Sequence, residues 1–390
     1  MKYPLSSSSW DQKEYAALQR VIDSGFFTMG KEVAAYEQAF AQCFQSQYAV
    51  MVSSGSTANL LMIAALFFAQ NPKHKLQRGD EIIVPTVSWS TTYFPLQQYG
   101  LKLKFVDIDK ETLNLDLNQL EQAITSKTRA VLTVNLLGNP NDFERLEKIL
   151  SGTDIVLLED NCESMGATFA DRQAGSFGLM GTFSSFFSHH ISTMEGGCII
   201  TDDEHIYHTL LCLRAHGWTR DLPEHNHITG QKSADSFEES FKFVLPGYNA
   251  RPLEMSGAVG LEQLKKLPHF IQQRRANAEK FQSMFAEHPF LAIQKEVGQS
   301  SWFGFALVLK PHAPYSRTQV LARLRQAEIE CRPIVTGNFL KNTALLTHFD
   351  YEVFGDPTHA QYIETMGLFV GNHPYDLSAS LLHLYEVLGT

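Results

Sequence analysis

The sequence predicts an α/β fold, with a large, mostly parallel sheet domain over residues 1–250 and a smaller α+β domain over residues 251–390. Three observations predict it. Short apolar runs end in polar or turn residues, helix-like stretches separate most of them, and this alternation stops after about residue 205. A length of 390 residues also suits about two domains, at roughly 100–200 residues each.

The apolar runs at 81–84, 103–107, 130–134, 155–158, 183–187 and 198–201 read as strands. Between them, 57–69, 91–99, 116–124 and 143–150 read as helices. Beyond the alternation, 205–216 reads as a helix and 230–239 as a polar loop, a candidate lid. Residues 251–275 read as one long helix connecting to the second domain, broken or bent near Pro268. A strand (302–309), a helix (316–328), a strand (330–334) and a last helix (379–388) complete the smaller domain. In such folds ligands collect beyond the C-terminal ends of the strands, so the residues there are the ones to read for chemistry.

Composition narrows the function. Hydrophobic residues at 44% and charged residues at 19% are a globular balance. Lys plus Arg number 32 against 42 for Asp plus Glu, a net charge of −10, which disfavours nucleic acid or an anionic membrane as partner of the whole chain. A local basic pocket for a phosphorylated small molecule is still compatible. The longest apolar run, 60–69, is far short of the roughly 20 residues that span a bilayer. The first residues lack the apolar stretch of a secretory signal. Five scattered cysteines without a C-x-x-C spacing argue for a reducing compartment and against a zinc or iron–sulfur site. The expectation is a cytoplasmic protein without a metal.

Four segments carry candidate chemistry. Ser53 to Asn59 opens a helix with Ser, Gly and Thr, which reads either as a plain N-cap or as an anion cradle. Glu159, Asp160 and Glu163 end a buried strand, where a carboxylate could face a pyridine nitrogen or simply cap the next element. Trp89 follows another strand and offers a flat face for stacking, or a core or interface side chain. His189 and His190 are adjacent, so on an extended chain they point opposite ways and do not share one metal.

Taken together, seven stretches stand in a familiar order: Ser54-Gly55-Ser56-Thr57, Val84-Pro85 with Trp89, Glu159-Asp160, Phe183-Ser184, Glu195-Gly196-Gly197, Arg214-Ala215-His216-Gly217 and Gly247-Tyr248-Asn249. Over essentially its full length the chain resembles the sugar aminotransferase family of pyridoxal-phosphate enzymes. The resemblance implies the PLP-dependent aspartate-aminotransferase-like (type I) fold. It places the cofactor phosphate on Gly55, Ser56, Thr57 and Ser184, with Asn249 reaching it from the other subunit of a homodimer. It sets Trp89 on the pyridine ring, Asp160 at its nitrogen and Glu163 near its hydroxyl, where many relatives have glutamine. His216 and Arg220 would bind substrate or the glutamate carboxylate.

One departure matters most. In the family, the residue six before the Glu of Glu-Gly-Gly is the lysine that links covalently to the cofactor; here 195 − 6 = 189 is histidine. Imidazole cannot make that link, so the resemblance implies a cofactor held without one, as pyridoxamine 5′-phosphate, and a base or acid at His189. It further implies removal of the C3 hydroxyl of GDP-4-keto-6-deoxy-D-mannose, with L-glutamate restoring the amine, on the route to the O-antigen sugar colitose. A related histidine-type enzyme that carries a four-cysteine cluster is disfavoured, because no such cluster occurs here. Two alternatives stay open at the level of sequence: an aminotransferase whose lysine was replaced, and a silent cofactor-fold binding protein.

Overall fold

A computed structural model describes residues 2–389. Seven strands form most of the main sheet: β1 (Tyr48–Val52), β2 (Glu81–Pro85), β3 (Lys102–Val106), β4 (Thr128–Val134), β5 (Val156–Asp160), β6 (Met180–Ser184) and β7 (Gly197–Thr201). The smaller sheet contains β8 (Leu291–Ile293), β9 (Gly304–Leu309), β10 (Cys331–Arg332) and β12 (Gly367–Gly371), while β11 (Tyr351–Val353) returns to the main one. The main sheet runs β1-β7-β6-β5-β4-β2-β3-β11, parallel except that β7 is antiparallel to both neighbours. The smaller sheet, β8-β9-β12-β10, is antiparallel throughout.

Strand periodicity explains the layering. Alternate residues point to opposite faces, so Ile82, Val84, Leu103, Phe105 and Leu132 pack on the helix Gly55–Phe67. Their neighbours Ile83, Val106 and Val131 pack on Leu120, Phe143 and Leu146 from the opposite face. Lys104 is a buried cation inside a strand, and it is paired with Glu81 at 2.9 Å and Glu352 at 3.0 Å.

Several elements differ from their sequence reading. The strand expected at 183–187 is Met180–Ser184, because pairing with β7 ends at Ser184↔Gly197. Beyond it Phe186 and Phe187 are exposed. The connecting helix is not broken at Pro268 but runs unbroken as Glu254–Phe285. Leu264, Leu267, Phe270 and Ile271 are buried on both sides of the proline, so packing outweighs the one lost backbone bond. The polar loop at 230–239 is tied down by Glu239, which accepts from the Ser233 amide at 2.8 Å and from the Thr219 hydroxyl. The 330–334 strand shortens to Cys331–Arg332.

Two segments cross residue 250. Tyr3 is buried in the smaller core, with its amide donating to Glu328 O at 3.0 Å, and β11 pairs in parallel with β3 at the edge of the main sheet. Among the described residues no helix is long and apolar enough to cross a membrane.

Candidate active site

Asp160 is the last residue of β5, in register with Val134 on one side and Thr182 on the other. It is buried, and three donors fix the plane of its carboxylate. Oδ2 accepts from Asn59 Nδ2 at 2.8 Å and Thr92 Oγ1 at 2.7 Å, and Oδ1 accepts from the Cys162 amide at 3.1 Å. Glu159, one residue earlier, points the other way and accepts from the amides of Gly175, Phe177 and Gly178 at 2.6–2.8 Å. Alternation along one strand thus separates a carboxylate that fastens a loop from one that faces a cavity.

The helix Gly55–Phe67 starts at the same edge. Ser54 caps it through the Thr57 amide at 3.1 Å, and Thr57 Oγ1 accepts in return from the Ser54 amide at 2.9 Å. The first intrahelical bond goes to Ala58, so the amides of Gly55 and Ser56 stand free of the helix ladder at its positive end. A Cβ on Gly55 would come within 2.7 Å of Ser184 Cβ and 3.0 Å of Cys162 Sγ. Glycine therefore lets the helix start lie directly on β6. Ser56 Oγ is held by Thr91 Oγ1 at 2.9 Å.

These ends enclose a cavity of about 270 Å³. Gly55, Ser56, Trp89, Asp160, Glu163, Ser184 and His189 all line it, and Thr57 stands behind them in the cap. Trp89 is 53% exposed at the start of the helix Ser90–Gln98, leaving its ring face open. Glu163 accepts from the Leu137 amide at 3.1 Å, with Arg332 at 3.9 Å; burial still pushes its carboxyl above the usual range. His189 is half-buried, and desolvation, aided by Arg332 and Arg274, lowers its imidazole to about 3. The ring is therefore neutral at physiological pH. Its Nδ1 is buried and without a partner among the described residues, as is Nε of Arg332.

The structure does not bring His216, Arg220 or Asn249 into this cavity within one chain. Arg214 of the same motif is a structural anchor, buried on Glu37 and on Met51 O. His216 then takes a left-handed φ of 60°, donates its amide to Tyr248 O at 2.7 Å and sets its ring on Trp218. Arg220 lies over the Trp218 ring at 3.9 Å, and exposed Asn249 contacts Arg251. Conversely, Arg332 lines the cavity unforeseen; a lone arginine in a two-residue strand carries no local signal of its role. Asn59 and Thr92, which aim Asp160, were equally invisible as partners.

Open helix amides, a buried carboxylate, an exposed indole face and two unpartnered polar nitrogens suit a phosphorylated nitrogen heterocycle such as pyridoxal phosphate. Residues 8–363 match the DegT/DnrJ/EryC1/StrS aminotransferase family. The chain belongs to that family. Within it, the GDP-4-keto-6-deoxy-D-mannose 3-dehydratase of Yersinia pseudotuberculosis is 66% identical over 388 residues, covering all of this chain and 98% of that one. The enzyme of the same name from Escherichia coli O55:H7 is 64% identical, with both chains covered in full. A solved E. coli GDP-4-keto-6-deoxy-D-mannose 3-dehydratase with bound hydrated PLP superposes with a TM-score of 0.98 at 64% identity, covering 100% of this chain and 99% of that one. A Helicobacter pylori aminotransferase of pseudaminic acid biosynthesis, 21% identical with a TM-score of 0.87 and covering 100% and 98% of the two chains, shares the fold.

Proposed function

We propose that this family member is a pyridoxamine/pyridoxal-phosphate-dependent 3-dehydratase that converts GDP-4-keto-6-deoxy-D-mannose to GDP-4-keto-3,6-dideoxy-D-mannose. The observation that carries the reading is His189. It lines the cavity with Asp160 and Trp89, at the position where an aminotransferase of this family has its lysine. Support comes from the 3-dehydratases that are 66% and 64% identical across the whole chain.

When bound, the cofactor would supply an amine for the C4 ketone and a conjugated ring that takes up the electrons freed by removal of the C4′ proton and returns them as the C3 hydroxyl leaves with its bonding pair. The protein's own residues do the rest. The amides of Gly55 and Ser56, the Thr57 cap and the Ser184 hydroxyl hold the phosphate. Asp160 would keep a proton on the pyridine nitrogen, Trp89 would cover one ring face and Glu163 would lie near the ring hydroxyl. His189, neutral at the start, would take a proton from the C4′ carbon and hand it to the leaving C3 oxygen. A lysine there could carry that proton to sugar C4 and retain the amine, whereas imidazole leaves elimination as the outcome. In sum, sugar C3 is reduced by two electrons, L-glutamate is oxidised to 2-oxoglutarate and its nitrogen leaves as ammonia.

The functional unit in this reading is a homodimer. Asn249 is exposed beside Phe241, Phe243 and Leu253, a surface suited to meeting a second copy and delivering Asn249 to its phosphate site. His216 and Arg220, on the same surface, would face the partner's substrate. Residues 1–250 would carry the cofactor, and 251–390 would close the cavity with Arg332.

The test is incubation with pyridoxal phosphate, L-glutamate and the GDP-keto sugar in heavy water, with mass spectrometry of the sugar. Loss of the C3 hydroxyl, deuterium at C3 and ammonia release are expected. An amino group at C4 with the hydroxyl intact would instead identify a transaminase.

A further inference from the structure

An imidazole that moves protons is usually aimed by a hydrogen bond on its other nitrogen. His189 lacks that arrangement, since Nδ1 is buried with no partner among the described residues. Aromatic rings touch it instead. Phe303 and the imidazole form a T-shaped pair, with centroids 5.1 Å apart at 63°, and Phe186 meets it at 5.9 Å and 84°. Phe186 is exposed, whereas Phe303 is buried and held from every side.

Its amide donates to Leu137 O at 2.9 Å, and its carbonyl accepts from the buried guanidinium of Arg274 at 3.1 Å. Its ring lies nearly parallel to Phe369, 6.1 Å away, and the Arg332 guanidinium sits 4.7 Å over Phe369 from beyond. Leu137 in turn donates its amide to Glu163. Phe303 is therefore built into the frame that also places Glu163 and Arg332 on the cavity wall.

We propose that Phe303 is the positioning residue for His189, its T-shaped ring contact fixing the plane of the imidazole in place of a hydrogen bond to Nδ1. This rests on the reading of His189 as the proton carrier. The physical rationale is a choice between two kinds of support. A carboxylate on Nδ1 would fix the ring but favour its protonated form, and a base that starts the reaction must be neutral. A T-shaped aromatic contact fixes orientation without adding charge. The lowered pKa of His189, caused first by burial and then by the nearby Arg332 and Arg274 guanidinium groups, agrees with a support that brings no carboxylate to the imidazole.

Phe303→Leu removes the ring while keeping the site apolar, and Phe303→Tyr keeps the ring. Expected for Phe303→Leu is a fall in kcat for C3 deoxygenation of about tenfold or more, with KM for the sugar within about twofold. In the cofactor-free protein, carbethoxylation of His189 followed by peptide mass spectrometry is expected to speed up several-fold in Phe303→Leu and to match wild type in Phe303→Tyr. If Phe303→Leu fails to fold, Phe303→Met takes its place, being closer in volume and also lacking a ring. A ring-less variant with kcat within about twofold of wild type, or with unchanged His189 modification, overturns the proposal. If wild type itself never deoxygenates C3, the functional reading fails, and the modification rates still decide whether Phe303 holds the ring.

Discussion

Asn59 Nδ2 and Asp160 Oδ2 stand 2.8 Å apart although 101 positions separate them in the chain. The direction of the Asn59 amide is forced, because its Oδ1 already accepts from Thr182 Oγ1 at 2.6 Å. The NH2 group must then face Asp160, and Thr92 donates to the same oxygen. A helix, a strand and a second helix thus meet on one carboxylate at the C-terminal edge of the sheet.

Replacing that carboxylate by an isosteric amide separates charge from shape. Asp160→Asn is expected to lower kcat for C3 deoxygenation by roughly 10²–10³-fold, the scale for losing one preorganised electrostatic partner. Single-turnover kinetics on protein loaded with pyridoxamine phosphate check this, and an unchanged rate would remove Asp160 from the proposed mechanism.

His189 has two informative replacements. His189→Asn is expected to keep cofactor binding and lose about 10²–10⁴-fold in deoxygenation, the usual contribution of a general acid–base group. His189→Lys is expected to retain pyridoxal phosphate through dialysis and to stop making the 3-deoxy product. Absorbance after dialysis, with mass spectrometry of the sugar, reads both.

Stability is expected to fall with pH partly through His190. Burial holds its folded pKa well below the ordinary 6.5, and its Nε2 lies 3.2 Å from Ser301 O. Below pH 6.5 the unfolded chain takes up a proton that the folded one refuses, so stability drops as pH falls through that value. The carboxyls of Glu37, Glu159 and Glu163 are held above their usual range and act in the opposite direction. A difference measurement removes them. Between pH 6.5 and 5, His190→Asn is expected to lose less unfolding free energy than wild type by up to about 2 kcal/mol in urea titrations.

Gly217 tests the segment 244–249 that carries Asn249, because the amides of Val244 and Leu245 donate to its carbonyl. Its φ is 82°, and an added Cβ would fall on the Leu245 carbonyl oxygen. Gly217→Ala is expected to cost about 1–3 kcal/mol or more in urea unfolding and to weaken pyridoxamine-phosphate binding as Tyr248 and Asn249 shift. Loss of stability with unchanged cofactor affinity would detach this segment from the phosphate site.

Much of this protein was written locally. Apolar runs bounded by turn residues located β2 to β7 to within a few residues, because the strands of a sheet covered on both faces are nearly continuous hydrophobic stretches. Strand and helix alternation marked Gly55, Ser56, Trp89, Asp160 and Glu163 as candidates at strand ends, the family resemblance added Ser184 and singled out His189, and all of them line one cavity. Other features needed the folded chain. Gln12–Ser24, Lys31–Cys43 and β11 went unread, the last because three residues have no period and are a strand only beside β3. The break allowed for at Pro268 does not occur, because burial on both sides of it, absent from any local window, keeps the helix continuous. Asn59, Phe303 and Arg332 acquire their places through contacts that join distant parts of the chain. Residue type and spacing determined which groups could do chemistry here, whereas their aim was decided by packing and hydrogen bonding between segments that only the tertiary structure brings together.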